Sequence, residues 1–136
     1  MKLTLIAAIA SIFAANSPAH AQDVLTEGRS AVGAVVFKKC TACHQVGPKA
    51  RNGIGPILNG VVGRRAGTYP GYSYSSANLE SGLVWDDATL ARYLREPRAV
   101  VPGTKMVFFG LKKGQEIADV IAYLKQFDAE GKQHAD

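Results

Sequence analysis

The sequence is short of several residue types, and each shortage removes a class of protein. It has two cysteines, Cys40 and Cys43, in 136 residues, so no disulfide framework can hold the fold. A closed zinc site wants four ligands. Beyond residue 21 only His134 joins Cys40, Cys43 and His44, which makes zinc a weak reading. Past residue 15 no apolar run is long enough to span a bilayer, which takes roughly 20 residues. No convincing alternating strands flank the cysteines, so the βαβ units of a thioredoxin-type C-x-x-C site are missing. Acid is absent from residues 28–79 and again from 97–115.

The first 21 residues are set apart by composition. Lys2 precedes an apolar run over residues 3–15, and Ala19-His20-Ala21 gives a small-x-small site. This is the pattern of a secretory signal peptide cut after Ala21, and the run is too short for a membrane anchor. Residues 22–136 are then expected to form a single soluble domain in the periplasm, with a tail fraying from about residue 129. The mature chain holds 15 Lys and Arg against 11 Asp and Glu, a balance of +4. A basic field without a nucleic-acid-binding motif on an exported chain excludes nucleic acid and suits an acidic docking surface.

What is present starts with Cys40-Thr41-Ala42-Cys43-His44. C-x-x-C-H is the attachment signature of a c-type haem. On a short helical turn, thiols three residues apart can both reach one porphyrin edge. The next residue brings an imidazole under the iron. One haem c is therefore expected, bound covalently through Cys40 and Cys43, with His44 as proximal ligand. In so small a domain a buried haem acts as apolar filler, so the haem-free chain is expected to fold poorly.

Helical patterns punctuate long loops. Residues 31–39 read as a helix with Val32, Val35 and Val36 on its apolar stripe, and Gly33 inside it lets a partner helix approach. Residues 45–70 are rich in Gly and Pro, and a loop of that length in a compact domain needs a purpose such as wrapping a cofactor. Residues 75–80 form a short helix. A third helix starts at Asp86 or Asp87, carries Leu90, Tyr93 and Leu94, and is closed by Pro97. Residues 100–113 are loop. The last helix, residues 114–127, presents Ile117, Val120, Ile121, Leu124 and Phe127 on one face. The architecture is all-α: three main helices plus a short one, with long loops around the haem.

Met106 is the only thioether past residue 1, and it lies on a Pro- and Gly-bearing loop that could fold over the distal face. A lone Met is also an ordinary core filler. His134 is the other candidate ligand, on a tail expected to fray.

Several stretches together resemble class I cytochromes c, close to the bacterial c2 and the mitochondrial branches. They are Gly55-Pro56-Ile57-Leu58-Asn59-Gly60, Gly63-Arg64, Pro70-Gly71-Tyr72-Ser73-Tyr74, Trp85, Tyr93-Leu94, Pro102-Gly103-Thr104-Lys105-Met106 and Ile121-Ala122-Tyr123-Leu124. Phe37 stands three residues before Cys40, where the mitochondrial pattern has its aromatic four before, so the bacterial branch fits better. The resemblance implies the cytochrome c fold and Met106 as the second iron ligand. It implies that Pro56 offers its carbonyl to the His44 ring and that Arg64, Tyr74 and Trp85 contact the haem propionates. Asn78, Tyr93 and Thr104 would form a polar network beside Met106. Phe108 would lie on the haem edge, and Gly33 and Phe37 would pack on Tyr123. Ala99 stands where mitochondrial relatives often have Lys, which leaves Lys105 as the candidate to displace Met106 at alkaline pH.

His/Met ligation fills both axial sites and leaves no open position for substrate. The implied role is a monomeric one-electron carrier rather than an enzyme. Donors would be a bc1-type complex or a dehydrogenase. Acceptors would be a photosynthetic reaction centre, a terminal oxidase or a reductase. Lys38, Lys39, Arg51, Arg98, Lys105, Lys112 and Lys113 are candidates for the docking rim. A haem peroxidase, a gas sensor and a haem-free thiol–disulfide oxidoreductase are the rival readings.

Overall fold

The computed structural model describes residues 27–135, so the expected signal peptide lies outside the described residues. Its helices are α1 (Ser30–Phe37), α2 (Ser76–Glu80), α3 (Asp87–Arg95), α4 (Pro97–Val100) and α5 (Gly114–Lys125). Among the described residues there is no strand, only isolated bridges Arg65–Val84 and Phe127–Gln133. No described helix is long and apolar enough to cross a membrane.

The crossing of α1 and α5 is the frame. A Cβ at Gly33 would lie 1.9 Å from the Asp119 carbonyl oxygen and 2.8 Å from Tyr123 Cβ, so only glycine permits this approach. Phe37 then meets Tyr123 with ring centroids 5.4 Å apart. The glycine contact also fixes the rotation of α1. Gly33, Val36 and Phe37 are buried, whereas Val35 is 61% exposed and Val32 38%. The expected Val32–Val35–Val36 stripe is therefore only partly the buried face. With most of the helix apolar, spacing alone could not choose between adjoining faces.

A carboxylate from α5 closes the N-terminus of α1. Arg29, the residue before α1, has no capping side chain of its own. Its backbone N–H instead donates to Asp119 Oδ1 at 2.8 Å, and its guanidinium reaches Asp119 Oδ2 at 3.0 Å. Gln115 Nε2 adds a donor at 2.8 Å. The Asp119 side chain is almost fully buried, and these donors hold its carboxyl below the usual carboxylate range, with the Arg29 side-chain hydrogen bond as the largest cause.

In α3, Asp86 accepts from Thr89 N–H at 2.8 Å, Asp87 occupies the first turn, and Arg92 and Arg95 occupy the last. That order suits the helix dipole at both ends. Leu90, Tyr93 and Leu94 are buried, as the pattern required. Pro97 does end α3, but it also starts α4, a turn of helix that the spacing does not predict and that overlaps the expected loop only at Val100. Proline is well suited to a first helical position, where its missing N–H is not needed. The fold thus has two short helices rather than one.

The stretch from residue 128 carries backbone hydrogen bonds. Asp128 N–H donates to Lys132 O at 3.1 Å, and His134 N–H to Gln126 O at 2.8 Å. Gly131 is buried.

Candidate functional site

From the end of α1 the chain tightens into turns. Cys40 N–H donates to Phe37 O at 2.7 Å, Cys43 N–H to Cys40 O at 3.0 Å and His44 N–H to Cys40 O at 2.9 Å. This winding brings both thiols and the imidazole to the wall of one cavity of about 210 Å³. Met106, carried on the segment between α4 and α5, borders the same cavity. All twelve residues singled out from the sequence border this space: Cys40, Cys43, His44, Pro56, Arg64, Tyr74, Asn78, Trp85, Tyr93, Thr104, Met106 and Phe108.

On the His44 side the geometry is tight. Nδ1 sits 2.7 Å from Pro56 O, so Nδ1–H donates to that carbonyl and Nε2 is left with its lone pair. A Cβ at Gly55 would lie 2.4 Å from His44 Cε1, so the backbone itself forms one wall of the ring slot. Burial pushes the imidazole pKa down, partly offset by the Pro56 hydrogen bond, which keeps the ring neutral and able to ligate at pH 7. Asn52, which the sequence reading passed over, braces this loop by accepting from Ile57 N–H at 2.9 Å and donating to Pro70 O at 3.0 Å. An Asn in a Gly-rich loop is a common turn residue, so its spelling gave no sign of this bridge.

On the Met106 side, Tyr93 OH donates to Met106 Sδ at 3.2 Å and lies 3.4 Å from Thr104 Oγ1. Thr104 Oγ1 in turn accepts from Met106 N–H at 3.2 Å. Asn78 borders the same cavity as Tyr93, Thr104 and Met106. Its backbone serves α2, and its buried Oδ1 has no partner. Lys105 Nζ donates to Ser73 O and rides over the Tyr72 ring. His134 pairs with Asp128 at 2.9 Å and does not border the cavity.

The residues fit a haem. Arg64 gives Nη1 to Asn59 O at 2.7 Å and Nη2 to Ile57 O at 3.3 Å, yet its buried Nε has no acceptor. An orphaned guanidinium donor at the wall of an apolar cavity is costly unless an anion completes it, and a propionate would. Burial pulls the Arg64 pKa down and pushes that of Tyr74 up, and the contact between the two side chains partly offsets each shift. Tyr74 OH already accepts from Tyr69 N–H at 3.2 Å. Trp85 is buried with its ring 4.7 Å from that of Tyr93. Leu58, Val61, Leu90, Leu94, Val120 and Leu124 supply the apolar wall. Burial raises the Cys40 pKa, whereas a reactive redox thiol is normally depressed.

The mouth is marked by exposed apolar groups. Ile54 and Val107 border the cavity and are 78% and 76% exposed. Lys39 and Lys105 stand at the same rim. Lys39 is engaged by Glu116 at 3.1 Å.

The cytochrome c family model matches residues 30–128. Cytochrome c2 of Rhodomicrobium vannielii is 52% identical over 124 residues, covering 91% of this chain and 95% of the relative. Cytochrome c2 of Blastochloris viridis is 48% identical over 118 residues, covering 87% and 88%. Among solved structures, cytochrome c2 from Rhodospirillum centenum aligns with a TM-score of 0.70 at 46% identity, covering 74% of this chain and 99% of that one. Cytochrome cH from Methylobacterium extorquens gives 0.69 at 47% identity, covering 72% and 98%. The chain belongs to the cytochrome c family: it is an electron-transfer protein, not an enzyme, and carries one haem c.

Proposed function

We propose that the protein is a periplasmic, c2-like one-electron shuttle whose iron is held between His44 and Met106. The observation that carries this reading is a single cavity bordered by Cys40, Cys43 and a neutral His44 and also by Met106, whose sulfur accepts from Tyr93 OH. When bound, haem c supplies a reversible Fe(III)/Fe(II) couple. The protein's part is positioning. Pro56 O fixes the imidazole by accepting from Nδ1–H, which leaves Nε2 for the metal. Tyr93 OH holds Sδ in place and draws electron density from it. Arg64 and Tyr74 offer donors to carboxylates at the cavity wall, and Trp85 shields that end from water. Phe108 and the apolar wall exclude solvent.

Electron exchange then takes place at the mouth, where Ile54 and Val107 give an apolar contact ringed by Lys39 and Lys105. An acidic docking surface on a bc1-type complex or dehydrogenase (the donor) and on a reaction centre, terminal oxidase or reductase (the acceptor) suits that rim. Two measurements test the reading. Reduced wild-type protein should resist carbon monoxide at neutral pH, because Met106 fills the distal site; rapid binding would favour a sensor or peroxidase. The rate with an acidic redox partner should fall as salt rises, and a salt-independent rate would count against the rim.

A further inference from the structure

We propose that the C-terminal strap, residues 128–134, is a positioning element for Arg64 and through it biases the haem couple. The family match ends at residue 128, so nearly all of the strap lies beyond it. The strap is not loosely attached. Gly131 N–H donates to Asp128 O at 3.0 Å, and His134 N–H reaches back to Gln126 O. Just before it, Phe127 O accepts from Gly60 N–H at 3.1 Å.

Gly131 has φ +81° and packs directly on the loop that presents Arg64. A Cβ there would lie 2.3 Å from Gly47 O and 2.4 Å from Asn59 Nδ2. Those two atoms are one hydrogen bond, at 3.0 Å, and the reciprocal bond runs from Gly47 N–H to Asn59 Oδ1 at 2.8 Å. The buried Asn59 side chain is thus clamped between residue 47 and the strap. Its own carbonyl is the acceptor for Arg64 Nη1. The contacts form one unbroken sequence from strap to Asn59 to Arg64, whose side chain borders the cavity and whose buried Nε has no acceptor.

A fixed positive charge beside the haem favours the reduced iron. Loosening the strap frees Asn59 O, lets the guanidinium move, and shifts the couple toward Fe(III). The inference rests on the reading that Arg64 faces the haem propionates.

The test uses holoprotein with Gly131→Ala and, separately, deletion of residues 129–136. Both should shift the Fe(III)/Fe(II) equilibrium against a fixed redox mediator toward Fe(III) by about threefold, the low end of what one hydrogen bond contributes. Exchange of the Arg64 Nε hydrogen, followed by NMR, should accelerate. In an Arg64→Ala background the strap changes should have no further effect. Asp119→Asn, which weakens the fold at the α1–α5 crossing, should leave the equilibrium at the wild-type value. The proposal is overturned if the strap variants only unfold earlier, as Asp119→Asn does, while Arg64→Ala alone moves the equilibrium. An equal strap effect with and without Arg64 also overturns it. If Arg64→Ala itself changes nothing, the propionate reading fails and takes the proposal with it.

Discussion

The two walls of the haem cavity are built by different means. The His44 wall is local: five consecutive residues, wound by backbone hydrogen bonds onto the end of α1, carry both thiols and the imidazole. The Met106 wall is assembled at a distance. Its segment has no regular structure and is held by Tyr93 from α3, by Thr104 beside it and by Lys105 on Ser73. His44 is fixed by sequence proximity and backbone, Met106 by side chains that must all arrive. The distal side should therefore be the one that yields to pH, denaturant or substitution.

Gly55→Ala attacks the rigid side and should have the largest effect. The new Cβ meets the His44 ring and Gly55 is buried, so the clash should cost about 2–3 kcal/mol, seen as a lower denaturant midpoint of the holoprotein. A midpoint equal to wild type would mean that this wall gives way as readily as the other.

Asp119→Asn probes the frame behind both walls. It should lower stability by about 2 kcal/mol at neutral pH, because a buried, charge-assisted hydrogen-bond set is lost. The sign with pH follows from the depressed folded-state pKa of Asp119. Its contribution is complete above the unfolded carboxylate pKa of about 3.9 and is lost as pH falls through the lower folded value. The difference in stability between wild type and variant should shrink below about pH 4. A constant difference down to strong acid would contradict the assignment.

How much of this was legible beforehand follows the same division. The pentapeptide, α3 and α5 could be read because spacing and local caps carry them. The clamp of Asp119 on Arg29 could not, because its partners are 90 residues apart. Asn78 is tied to the Met106 network by resemblance alone, and its buried Oδ1 has no partner. The contact of Gly131 with Gly47 and Asn59 has no local signal, because its partners are distant in the sequence. α4 was missed because Pro97 reads as a stop and serves as a start too.

Tyr93→Phe sharpens the distal side. Losing the hydroxyl on Sδ should shift the iron couple toward Fe(III) by about 1 kcal/mol, read as a lower potential. An unchanged potential would reduce that contact to packing. The smallest effect is expected for Lys105→Ala. If Lys105 leaves Ser73 and replaces Met106 at alkaline pH, the midpoint for loss of the Met–iron absorbance band should rise in the variant; an unchanged midpoint rejects the exchange.

The most direct measurement is carbon monoxide binding to reduced wild type and to Met106→Ala at neutral pH, followed alongside the visible spectrum. The expected result is slow or absent binding in wild type, fast binding in the variant, and loss of the Met–iron band. Equally fast binding in both proteins, or an unchanged spectrum in the variant, would show that Met106 does not hold the iron.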